Sequence, residues 1–400
     1  MQFTLVGLRA VRQFLNALCG AGLAASLVIL PSAHAGTKEP LETLHVFAPL
    51  DGDAPGPLTL ASDGRFYGVA TYGGALRSGT VFSMDKRGTF EVLHSFDASV
   101  DGQYPSTTLL SASDGYLYGT VRYGGVSHCG SLFRVSPSTG EYTVMRPFAV
   151  LGRRTEGCNP RGAMAQGPDG WIYGTTEYGG SADAGTVYKW HPASGKFKTL
   201  RNFAGWGTGD GYSPVSVALS PTGELVGVTP SGGKFDVGTI YSLKPDGSEY
   251  RVVYSFTYES DTIGSNPFGQ LLLAKDGNFY GSTGRGGYCC GTIFRLSQDG
   301  TVSLVHTLEF FGDLGFPVNG DLILGPEGLL YGVTRGSGAE GGGTVFTMST
   351  AGEARVLQAF TYAGTPNSPM GRLTRAGSYM YGVASRGFSE GSVIYRVLKK

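Results

Sequence analysis

Tyrosines and arginines recur at one register position of this chain, and they are the residues best suited to hold a ligand. Reading along the sequence, that position holds Tyr72, Tyr123, Tyr178, Ser231, Arg285, Gly336 and Arg386. The residue just before it is Thr71, Arg122, Glu177, Pro230, Gly284, Arg335 or Ser385. Aromatic faces can stack on sugar rings, and a guanidinium can grip a carboxylate through two parallel hydrogen bonds. Trp206 and Asp210 precede the fourth copy and would add a platform and an acceptor. The set reads as a non-catalytic surface for an extracellular glycan or protein partner.

A second chemistry fits the same residues. Elimination on a uronate polysaccharide needs a carboxylate neutraliser and a base. Arg122, Arg285 or Arg386 could neutralise, and Tyr123 or His128 could take the proton. A glycosidase would need two carboxylates at a set distance, and only Glu177 with a loop aspartate offers itself. A quinone-dependent dehydrogenase is suggested by the adjacent Cys289 and Cys290, but its tryptophan-rich repeat is missing. No His or Cys cluster has metal-ligand spacing, so neither a metal nor a cofactor is expected.

Other polar residues repeat too regularly to mark a site. His45, His94 and His306 share one slot with Arg146, Arg201, Tyr254 and Gln358, a polar outer-edge position. Asp51, Asp101, Asp210, Asp261 and Asp313 precede successive copies. A ring of carboxylates could hold Ca²⁺, but most of these are followed at once by Gly and are better read as turn caps.

The elements behind these positions come from the repeat. Tyr67-Gly68, Tyr118-Gly119, Tyr173-Gly174, Val226-Gly227, Tyr280-Gly281, Tyr331-Gly332 and Tyr381-Gly382 lie 50 to 55 residues apart. Such a period marks a radial or solenoidal array. Each copy reads as four short strands. An apolar strand ends at an Asp-Gly turn such as Asp63-Gly64, and the Tyr-Gly strand ends at Gly-Gly. A third strand opens Gly-Thr-Val-Phe, and a fourth ends in an aromatic, as in Val92 to Phe96. The expected fold is an all-β, seven-bladed β-propeller of four antiparallel strands per blade. Residues 41–47 match a fourth strand and residues 391–397 a third. The N-terminal strand 41–47 should therefore complete blade seven and close the ring.

Residues 1–35 read as a secretory signal peptide. Arg9 and Arg12 precede an apolar stretch, and Ala33-His34-Ala35 offers a cleavage site. Residues 36–400 are then a single propeller domain, exported to the periplasm or the medium, with no membrane insertion. Formal net charge is zero, without the basic stripe that nucleic acid requires. A monomer is expected. Cys129 lies between the second and third strands of blade two, and Cys158 in the loop leading into blade three. In an up-and-down blade these loops adjoin on one face, which predicts a Cys129–Cys158 disulfide. Cys289 and Cys290 are left as a vicinal disulfide or as two free buried thiols.

The combination of Asp-Gly-x-x-Tyr-Gly-x-Thr, Gly-Gly, Gly-Thr-Val-Phe and Leu-His-Ser-Phe resembles the GloVer (Gloeo/Verruco) tandem-repeat family, over about residues 41–400. Cysteines at the positions of Cys129 and Cys158 also look like that family. The resemblance implies an exported propeller and brings no catalytic residues. GloVer proteins often carry a C-terminal anchor, and this chain ends Leu398-Lys399-Lys400 without one.

Overall fold

A computed structural model describes residues 41–105, 108–149, 154–258, 263–286, 290–309, 312–318, 320–363, 366–385 and 391–398. The expected signal peptide, Asp261, Cys289 and Arg386 lie outside them. The described residues form seven antiparallel blades around a channel, with one short 3-10 turn and no α-helix among them. In blade 3, for example, the inner strand Cys158–Gln166 pairs with Ile172–Tyr178, then Thr186–Trp190, then the outer strand Phe197–Asn202. Glu42–Val46 pairs antiparallel with Ser392–Leu398 and is the outer strand of blade 7, as the termini implied.

Two repeated glycines explain the packing. Past the repeat tyrosine, a Cβ on Gly119 would come within 2.3 Å of the Phe133 ring, and one on Gly68 within 2.5 Å of Phe82. The aromatic of the third strand therefore lies flat across its own blade. The repeat tyrosine faces the next blade. Tyr67, Val69, Val81 and Phe96 of blade 1 share one core with Leu109, Leu117, Phe133 and Val135 of blade 2. Every blade boundary has such a cluster. The tyrosine hydroxyl donates back to the turn aspartate at 2.7 Å in Tyr67–Asp63, Tyr118–Asp114 and Tyr280–Asp276. The turn aspartate therefore also satisfies a phenol that the core would otherwise strand. Burial, then this bond, pushes Tyr280 up to about 12.

The second glycine opens the Gly-Thr motif and serves the blade boundary. A Cβ on Gly185 or Gly238 would meet Pro214 or Pro267 of the next blade at 2.5 Å. The residue before that proline has positive φ: Tyr104 (60°), Asn159 (58°), Ser213 (57°) and Asn266 (54°). This conformation is disfavoured before proline and costs about 1–3 kcal/mol. In return the N–H of each donates to the preceding blade, at Ser78, Cys129, Ala184 and Val237 respectively (2.8–3.2 Å). The bend also interrupts the inner strand. In blade 1 it is split into Asp53–Pro55 and Thr59–Leu60, both paired with Phe66–Tyr72.

Outer strands are tied by a latch. His94 Nε2 lies 2.8 Å from Asp101, in the loop leading to blade 2, and its ring stacks on Tyr142 at 3.8 Å. His45 does the same with Asp51 (3.1 Å) and Phe90 (3.8 Å). Arg146 pairs with Glu156 over Phe197, and Arg201 with Asp210 (2.5 Å) over Tyr250. The aspartates also accept loop N–H groups from Ala48, Asp97 and Ala204 at 2.8–2.9 Å. The turn-cap reading holds for Asp51, Asp101 and Asp210, and the polar edge slot is their basic counterpart. Cys129 and Cys158 are bonded across the blade 2/3 boundary, with Cα atoms 4.6 Å apart. Cys290 is also disulfide-bonded.

Candidate functional site

The second strands of blades 1 to 3 end at Tyr72, Tyr123 and Tyr178. They reach the rim that carries the Gly-Gly loops. The positive φ of Tyr104 turns it onto the same rim, where it bridges two of the three. Its ring centroid is 5.3 Å from Tyr72 and 6.0 Å from Tyr123. Tyr178 follows, and its pKa is raised first by the charge of Glu177, then by burial and by the Tyr212 and Tyr123 hydroxyls. Tyr212 lies 5.4 Å from Trp206. Blades 1 to 4 thus carry an arc of aromatic side chains, open to solvent at Tyr72 (50%) and Trp206 (57%). Tyr104 and Tyr212 were missed by counting from the repeat tyrosine. Tyr104 shows in sequence only as a bulky residue at a pre-proline position filled by Ala, Asn or Ser in most other copies.

Of the residues just before the rim positions, Thr71 and Arg335 line the channel mouth. Glu177 is nearly buried between Arg122 and Arg161, the latter at 3.4 Å. Arg122 also lies 5.1 Å over the Tyr123 ring. Across the ring, Arg285 and Arg335 are exposed and have no ion-pair partner among the described residues. A cavity of about 570 Å³ opens at this mouth, lined by Thr71, Arg161 and Arg335 and, deeper, by Gln270, Asp321 and Arg372. Of the residues considered for an elimination, Arg122, Tyr123, His128 and Arg285 are not among its described lining. His128 is exposed in its loop.

Asp210 is corrected as a ligand acceptor. Its carboxylate takes Arg201, the Ala204 and Gly211 N–H groups (both 2.8 Å) and the Tyr250 hydroxyl, and it is buried. No helix among the described residues is long and apolar enough to cross a membrane.

Fold and rim together define a seven-bladed tandem-repeat propeller with an aromatic and arginine-bearing mouth. The chain matches the Gloeobacter/Verrucomicrobia repeat over residues 33–229 and 206–395 and belongs to that family. No curated protein is a significant match. Among solved structures it is similar to a Mycobacterium tuberculosis puromycin-hydrolysing peptidase (15% identity, TM-score 0.55, 90% of this chain and 54% of that one). It is also similar to a puromycin hydrolase (15%, 0.55, 88% and 54%). A Bacteroides thetaiotaomicron protein of unknown function matches at 13% identity and TM-score 0.50, over 90% of this chain and 76% of that one. The chain spans about half the length of the two hydrolases. At these identities the likeness is one of fold.

Proposed function

We propose that this is an exported, non-catalytic binding propeller that takes a glycan on the face bearing the Gly-Gly and lead-in loops. The aromatic arc from Tyr72 through Tyr104 and Tyr123 to Trp206 supports this reading. Half-exposed rings in a curved row present apolar faces with polar tips, which suits sugar rings laid along them. The Cys129–Cys158 disulfide fits an oxidising compartment. The repeat tyrosines and Asp-Gly turns are absorbed by blade packing, whereas the arc exists in some copies and not in others. A protein partner would use the same rim.

Intrinsic fluorescence of the purified protein, titrated with a panel of soluble oligosaccharides, tests the reading. A saturable change that weakens in Trp206→Ala and Tyr104→Ala is expected. A panel that leaves both fluorescence and calorimetric heat unchanged would reject the glycan and leave a protein as partner.

A further inference from the structure

The inner-strand residue two places before the partner of the repeat tyrosine lines the channel mouth in six blades, while Ser216, its counterpart in blade 4, is buried against Gly269. This residue is small in blades 1 to 4. In blades 5, 6 and 7 it is Gln270, Asp321 and Arg372. No blade requires these three for packing, because the other four copies do without them.

Their arrangement is built across blade boundaries. Asp321 Oδ1 accepts the backbone N–H of Gln270 at 2.6 Å, and the Gln270 side chain donates to the Val217 carbonyl at 2.9 Å. This fixes the carboxylate with its second oxygen unclaimed among the described residues. Burial raises the Asp321 pKa, and the nearby Arg372 charge and the Gln270 N–H offset only part of it; Arg372 makes no ion pair among the described residues. It lines both the mouth cavity and a second cavity of about 450 Å³ farther along the channel. Among the described residues lining the mouth cavity, Arg161, Arg335 and Arg372 outnumber the one carboxylate, Asp321, and Arg161 is shared with Glu177 behind it. Excess positive charge in a walled cleft focuses the field and draws in anions.

We propose that the channel takes the carboxylate of an acidic sugar. A uronate unit of the glycan enters the mouth, Arg372 holds its carboxylate, Arg335 steers it at the lip, and the free oxygen of Asp321 accepts a ring hydroxyl. The neighbouring sugar rings then run onto the aromatic arc. This rests on the glycan reading and gives it a substrate class.

The test is calorimetric titration of the purified full chain with oligogalacturonate and with the same oligomer methyl-esterified. The ester keeps the ring and removes the charge. The acid should bind about tenfold tighter, since a guanidinium–carboxylate pair is a strong charge-assisted contact. Arg372→Met should abolish that preference, so that acid and ester bind alike. Arg335→Gln, at an exposed position that folding does not need, should reduce the preference and make association less salt-sensitive. Equal binding of acid and ester, or a preference unmoved by both variants, overturns the acidic class while leaving a glycan-binding arc in place. Binding of neither overturns the glycan reading and this inference with it.

Discussion

The two sides of the ring are made from the same repeat but finished differently. From blade 7 through blade 4, each boundary holds a base between an acid and a ring: His45, His94, Arg146 and Arg201 over Phe90, Tyr142, Phe197 and Tyr250. At the remaining boundaries the slots hold Tyr254, His306 and Gln358, and Val302, Ala354 and Leu41 take the place of the ring. There His306 turns to the Gly352 carbonyl at 3.2 Å. The latched side also carries the aromatic rim, while the plain side supplies the polar channel wall and the arginines that have no ion pair among the described residues. A tightly tied rim holds rings in place for stacking. The looser side can keep charges unpaired because its own edges do not recruit them.

Breaking the latched side should cost most. Removing the Cys129–Cys158 link, which closes 29 residues, should lower stability by roughly 3.5 kcal/mol on the chain-entropy account. Urea midpoints of the Cys129→Ser/Cys158→Ser protein measure it. Arg201→Ala leaves the buried Asp210 carboxylate without its cation and should cost about 3 kcal/mol. Gln358→Ala, the matching change on the plain side, should stay under about 1 kcal/mol. Equal losses from Arg201 and Gln358 would erase the distinction between the two sides. Next in size is the rim. Tyr104→Ala should weaken oligosaccharide binding about tenfold, near 1.4 kcal/mol, with little loss of stability, because its ring meets other rim tyrosines rather than the core.

The blades were legible in the sequence because each motif has a local cause that recurs. Tyr-Gly needs room for an aromatic, Asp-Gly closes a hairpin, and Gly-Thr must admit the next proline. The disulfide was legible because loop order fixes which cysteines adjoin. What could not be read depends on contacts between strands. Asp210 looked free since Arg201 and Tyr250, which claim it, lie on the outer strand of blade 3 and just before that of blade 4. Gln270, Asp321 and Arg372 escaped notice because the positive-φ bend and the following glycine insert extra residues into the inner strand. Counting from the proline then loses register, as the shift between Phe268 and Leu272 shows. Tyr104 was hidden by the same bend, which turns a strand residue outward onto the rim.

The smallest predicted effect separates the two sides by pH. Burial lowers the pKa of His45 and of His306, and Asp51 opposes burial at His45. A histidine whose folded pKa is below its unfolded value favours the neutral form on folding. As pH falls through the unfolded value near 6.5, the unfolded chain binds the proton first and the folded state loses stability. Stability should therefore decline from about pH 7.5 to about pH 5.5. Asp51→Asn keeps an oxygen to accept the Ala48 N–H but removes the charge that holds His45 up. The His45 pKa then falls further, and the acid loss grows. His306→Gln should flatten the decline, since it removes the imidazole that burial holds neutral while an amide can still donate to the Gly352 carbonyl. Urea unfolding of the wild type, Asp51→Asn and His306→Gln at both pH values decides it. A slope unchanged by Asp51→Asn would mean that the blade 7/1 latch acts by stacking and loop capping alone, without the charge on Asp51.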